Sequence, residues 1–276
     1  MKSWSESRAG RWLTPLAASA LLAIAVVALV IKAGESPLVA DAVHQGFDWL
    51  AIHDRNTPPS NDIVIVDFDD AAIAEYKAFP VPRKHVAEAV RKVASGGAEL
   101  IGLDFLLTEA RTPEEDKDLA AALSEAGNVI IAAQMPMAQL PATEPLPIFC
   151  DPDPADPSFC KPGGAFGRAY INLKVDNDGF VRRTFLLPPK DLPIAPVATA
   201  LATNSKQQPL GHTADRKPMF LGKEIPVDDL NTFLIGTWSL KPVRTIPALA
   251  VLAPGFDASV FKGKLVIIGS SSAAGR

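Results

Sequence analysis

Acidic and hydroxyl side chains in this chain gather at the ends of short apolar runs. In an open α/β sheet those strand ends are where ligands bind. Ile63–Phe68 carries Asp67 and is followed by Asp69 and Asp70, and Leu100–Phe105 carries Asp104 and is followed by Glu109. Gln134 follows Val129–Ala133, and Ser270, Ser271 and Ser272 follow Leu265–Ile268. Carboxylates with hydroxyls make an oxygen set suited to a hard cation such as calcium or magnesium. The same groups also suit a polar small molecule, with Arg83 as counter-charge. The expected ligand-binding residues are therefore Asp69, Asp70, Arg83, Asp104, Gln134, Ser270 and Ser271. No catalytic residue, resident metal or cofactor is assigned. The competing assignment is local: Asp69 and Asp70 cap the turn that follows, and Asp104 pairs with Arg83 or a backbone amide.

Other constellations carry less. Gly269-Ser-Ser-Ser-Ala-Ala-Gly275-Arg276 has the wrong spacing for a P-loop and lacks its Gly-Lys-Ser/Thr ending. It does not match the Gly-x-Ser-x-Gly elbow of hydrolases either. His44, His53, His85 and His212 are scattered, without metal-ligand spacing or a nucleophile partner. Asp176 to Gly179 resembles half a calcium loop without its distal glutamate, and reads better as a hairpin turn. Arg182 and Arg183 beside it read as a solvated face. The net charge of −4 shows no basic bias, so no nucleic-acid partner is expected.

The elements that position these groups follow from periodicity. Ile63–Phe68, Leu100–Phe105 and Val129–Ala133 are continuous apolar runs of the kind a buried parallel strand requires. Between them lie two amphipathic helices. One runs from Arg83 to Ser95, opened by Pro82 and stopped by Gly96-Gly97. The other starts at the capping box Thr112-Pro113-Glu114-Glu115 and ends at Gly127. This alternation predicts a right-handed parallel sheet, with Leu265–Ile268 returning to it. Arg168–Lys174 and Val181–Leu187 flank Asp176-Asn177-Asp178-Gly179 as a predicted hairpin. A helix is expected around Ile194–Thr203, and a second hairpin over Phe220–Val227 pivoting near Gly222. The fold class is α/β: a parallel-core sheet flanked by helices, with β-hairpin insertions.

One transmembrane helix is expected before this domain. Residues Trp12–Ile31 carry no charge, and about 20 apolar residues span a bilayer core of ~30 Å. Lys2, Arg8 and Arg11 precede the run and only Lys32 closely follows, which puts residues 1–11 in the cytoplasm and 33–276 outside. A cleaved signal peptide is the alternative, although the run is longer than such a segment needs. Leu38, Val39, Ala42, Val43, Phe47, Leu50 and Ala51 have helical spacing, which predicts a juxtamembrane helix over Pro37–His53. Cys150 and Cys160, inside the proline-rich stretch Met135–Gly164, are expected to pair as a disulfide in an exported protein. Zinc is the weaker alternative, with two cysteines and no nearby histidine pair.

Taken together, five stretches carry a family likeness: Asp62–Asp70, Phe79-Pro-Val-Pro-Arg83, Gly97–Glu109, Asp176–Arg183 and Gly263–Gly269. Their order and spacing resemble the CHASE domain of the second type, a cyclase- and histidine-kinase-associated sensory extracellular domain. The likeness runs from about Ser36 to the end. It implies a non-enzymatic ligand-sensing region of a bacterial receptor in the inner membrane, with the sensor periplasmic. The full protein would add further membrane helices and a cyclase or kinase output, so the end at Arg276 reads as a truncation. The expected partners are the membrane, a small-molecule ligand of unknown identity, and a second copy in a homodimer. Phe79 and Val81 stand where the family favours tryptophan. A ligand-independent assembly module and, less favoured, a periplasmic metal-assisted hydrolase are the alternatives.

Overall fold

The computed structural model describes residues 19–26, 32, 45–49, 60–136, 141–176, 178–188, 192–235 and 243–272. Two units separate, residues 1–56 and 57–276. In the first, residues 19–26 and 45–49 are helical, and Leu21, Leu22, Ile24 and Val26 expose their side chains. The single span expected over 12–32 is not seen as such. Among the described residues no helix is long and apolar enough to cross a membrane, and only 19–26 and 32 of that run are described. The helix expected over Pro37–His53 lies outside the described residues except for 45–49.

The second unit is built on six parallel strands: β1 (Ile63–Asp67), β2 (Leu100–Leu103), β3 (Val129–Ala133), β4 (Gly167–Tyr170), β11 (Arg244–Pro247) and β12 (Leu265–Gly269). Their spatial order is β11-β1-β12-β2-β3-β4. The last strand in sequence thus sits between the first two, which brings three carboxyl ends together at the point where the strand order reverses. β4 is an edge strand carved from the stretch expected to be a hairpin arm; only Leu173–Val175 (β5) pairs antiparallel, with Val181–Phe185 (β6). Thr232–Leu234 (β10) adds to β6, giving a second sheet ordered β10-β6-β5. The other expected hairpin forms a small sheet of Gly211–His212 (β7), Pro218–Phe220 (β8) and Lys223–Glu224 (β9), turning at Leu221-Gly222.

Alternation along the strands assigns the two faces of the large sheet. Val64 and Val66, Ile101 and Leu103, and Val266 and Ile268 point to one side. There they meet α1 (Asp70–Tyr76), α2 (Arg83–Ser95), α3 (Pro113–Ala126) and α5 (Ala248–Leu252) through residues such as Val90, Val93, Leu119, Leu123 and Val251. α2 and α3 carry the sequence-legible caps: Thr112 Oγ1 accepts from the Glu115 amide, and Gly127 takes a left-handed φ of 68°. The opposite face carries Leu100, Ile130, Ala169 and Ile267 and is covered by α4 (Val197–Ser205) through Ala200 and Leu201.

Gly96 closes α2 with an ordinary φ of −75°, so its backbone does not require glycine. Space does: a Cβ there would stand 2.1 Å from the Ala258 carbonyl oxygen in the 3₁₀ turn Ala258–Phe261. Backbone atoms on both sides cannot yield as a side chain could. Gly96→Ala is expected to lower stability by about 1–3 kcal/mol through overpacking, read as a reduced denaturant midpoint at unchanged slope.

Candidate functional site

The carboxyl ends of β1, β12 and β2 meet in one seam. The Ser271 amide donates to Asp67 Oδ1 at 2.9 Å and its hydroxyl to Asp67 Oδ2 at 2.6 Å. The Ser270 hydroxyl donates to the Phe68 carbonyl at 2.7 Å, and the Ser272 hydroxyl to Asp70 Oδ1 at 2.6 Å. Asp69 caps α1 by accepting from the Ala72 amide at 3.0 Å. Asp67, Asp70 and the three serines clasp the segment leaving β12 to the end of β1 and the start of α1, while Asp69 only caps that helix.

Two of the remaining expected site residues, Gln134 and Arg83, lie apart from this clasp. Gln134 continues β3 into a two-residue ladder with Thr143 through its backbone. Arg83 is buried at the start of α2, where its guanidinium donates to the Asp116 carboxylate and the Glu109 carbonyl and stacks over Phe149 at 4.9 Å. It holds helices together and is not paired with Asp104. Among the described residues, no group of three or more His, Cys, Asp or Glu is placed to hold a metal ion.

Asp104 stands differently. It follows Leu100 and Gly102 on the α4 side of β2, and its carboxylate finds no hydrogen-bond donor among the described residues. It lines a cavity of about 520 Å³. The sheet forms the floor through Gly102, Ile130 and Ile267, and α4 forms a side through Val197, Ala198 and Leu201. The outer wall is the cross-strand row Leu173–Thr184–Phe233 of β5, β6 and β10. Asp104 is exposed on its open side, and the protein packed close on its other sides partly desolvates the carboxyl and raises its pKa above the ordinary aspartate value. Gly269 of β12 is its immediate neighbour: a Cβ built there would lie 3.4 Å from that of Asp104. Asp104 therefore links the cavity to the root of the clasp.

Thr184, only 9% exposed, faces Asp104's cavity with no hydrogen-bond partner for its hydroxyl among the described residues. Sequence reasoning passed over it. The signal was the alternation in Val181-Arg-Arg-Thr-Phe185, which sets Arg182 and Thr184 on one face of β6. Arg182 is correspondingly not solvated: it is 3% exposed and reaches Asp176 at 2.9 Å and Asp178 at 2.7 Å, clamping the hairpin turn. Arg183 points the other way, 3.3 Å from Asp228. Cys150 and Cys160 form the expected disulfide.

Compared with known proteins, the chain matches the family model described as CHASE2 domain over residues 21–276, nearly its whole length. No curated protein and no solved structure matches it.

Proposed function

Since the chain belongs to the CHASE2 family of sensory extracellular domains, we propose that it is the ligand-sensing part of a bacterial transmembrane receptor, with its small-molecule site in the Asp104 cavity. The observation that carries this reading is the cavity itself. It is an apolar hollow of metabolite size, with Asp104 at a strand end of the parallel sheet and Thr184 on the facing wall, neither side chain hydrogen-bonded among the described residues. Occupancy would press on Asp104 and through it on Gly269, and bias the Asp67–Ser271 and Asp70–Ser272 clasp between two arrangements. That is how a binding event reaches the segment leaving β12. Of the residues expected from sequence, Asp104 belongs to the pocket. Asp70, Ser270 and Ser271 belong to the clasp that transmits, Asp69 caps the helix it holds, and Arg83 and Gln134 support the surrounding frame.

The topology that goes with this reading is a single membrane pass over residues 12–32, with the sensor in the periplasm and the receptor a homodimer in the inner membrane. The uncharged run, the lysine and arginine asymmetry around it and the exposed apolar side chains of residues 19–26 support the pass. A disulfide in a loop supports an oxidising compartment. Cyclase or kinase output would lie in other parts of the receptor.

The test is a thermal-shift screen of the full chain against small metabolites. A true ligand raises the melting temperature with concentration, by a stability gain of about 2.7 kcal/mol at a hundred times its Kd. The same ligand is expected to slow amide hydrogen exchange at Ser270–Ser272. A chain indifferent to every compound, with light scattering reporting a dimer, would instead favour the ligand-independent assembly module.

A further inference from the structure

The walls of the Asp104 cavity also restrict what can occupy it. Among the described residues the lining contains no lysine, arginine or histidine, and its one ionisable group there is the Asp104 carboxylate. An anionic ligand would meet that carboxylate with no cation in the described lining to offset the repulsion. A strongly polar ligand would strand its hydroxyls against Ile130, Leu201, Phe233 and Ile267, each lost hydrogen bond costing more than the contact returns. The open acceptors are Asp104 at the mouth and the Thr184 hydroxyl on the opposite wall. Resting on the reading of the cavity as the sensor site, we propose that its ligand is an amphipathic amine: an apolar body with one protonated nitrogen that pairs with Asp104. The ammonium restores to the carboxylate the stabilisation it lost on desolvation, and the apolar body replaces poorly held water.

Two consequences follow for protons. Pairing favours the ionised carboxyl, so binding draws the Asp104 pKa down and releases a proton at a pH near its free value. Affinity is present above that raised pKa and is lost as pH falls through it, at a higher pH than an ordinary aspartate would give.

A matched series tests this on the full chain: 4-phenylbutylamine, 4-phenylbutanol and 4-phenylbutyrate, read by the rise in melting temperature. The amine is expected to bind at least about tenfold more tightly than the alcohol, as a charge-assisted hydrogen bond implies. The carboxylate is expected to give no shift. In Asp104→Asn the preference for amine over alcohol disappears, and in Thr184→Val it persists. Circular dichroism checks that both variants fold. Ala198→Trp, which fills the hollow from α4, is expected to abolish binding of the whole series. If the alcohol or the carboxylate matches the amine, or Asp104→Asn keeps the preference, the amine assignment is overturned while the cavity stands. If Ala198→Trp changes nothing, the cavity reading falls as well. No shift with any of the three compounds also overturns the assignment.

Discussion

Replacing Arg83 with alanine is expected to cost about 3–5 kcal/mol, the range for breaking one side of a buried ion pair. Both side chains are almost fully covered, 5% exposed for Arg83 and 7% for Asp116, so solvent does not screen the loss. Burial by itself pushes the Asp116 carboxyl up. The Arg83 guanidinium, with the Arg111 amide at 3.0 Å, outweighs it, and the carboxyl sits below the ordinary aspartate value. Since the folded pKa is depressed, this stabilisation is present above the unfolded value of about 3.9 and is lost as pH falls through the folded one. In Arg83→Ala the buried carboxyl loses its paired cation and its pKa rises, so that protein gains stability relative to wild type as Asp116 protonates. The gap between the two in urea titrations should therefore be widest near pH 7 and narrow below about pH 4. Arg83→Met with Asp116→Leu should recover most of the deficit, because no charge is then left stranded. Arg91 is the internal control. It joins the same two helices through Asp118 and Glu125 at 2.8 Å, but both pairs are well exposed, and Arg91→Ala should cost no more than about 1 kcal/mol. Equal losses at Arg83 and Arg91 would sink the argument that burial decides.

The same contrast separates what the sequence revealed from what it concealed. Parallel strands buried on both faces read as unbroken apolar runs, so Ile63–Phe68, Leu100–Phe105, Val129–Ala133 and Leu265–Ile268 stood out. α2 and α3 announced their ends through Pro82, Thr112 and Gly127. β4 and β11 did not. Gly167–Tyr170 and Arg244–Pro247 are edge strands with one neighbour each, and their glycine, arginine and proline content carries no apolar signal. That the strand ends would gather polar groups was legible in outline, because strand order brings β1, β12 and β2 side by side. Which of those groups would bind one another was not. Asp67 and Asp70 find Ser271 and Ser272 from about 200 positions away, a pairing that only the insertion of β12 between β1 and β2 creates. Arg83 looked like a counter-charge for the rim because the α2 side of the sheet could not be told from the α4 side. The cavity was hidden for a related reason: its outer wall, β5-β6-β10, belongs to insertions whose placement over the sheet no local pattern encodes.

Removing the Cys150–Cys160 bridge with a double alanine replacement is expected to cost roughly 2–3 kcal/mol, the loop-closure entropy of a ten-residue separation. The cost should be felt beyond the loop. Cys150 follows Phe149, a fully buried ring whose carbonyl accepts from the Ala165 amide at 2.8 Å. Gly164 passes so close that a Cβ would stand 2.3 Å from that carbonyl oxygen. The Arg83 guanidinium lies over a face of the same ring. The loop thus seats Phe149, and Phe149 helps seat Arg83, so the two costs share a partner and should not add. In a double-mutant cycle, Arg83→Ala made in the bridge-free protein should cost at least about 0.5 kcal/mol less than in the bridged one. Strict additivity in urea midpoints would mean that Phe149 keeps its place without the disulfide. In that case the backbone bonds to Ala165 and Leu146, not the cross-link, hold the ring under Arg83.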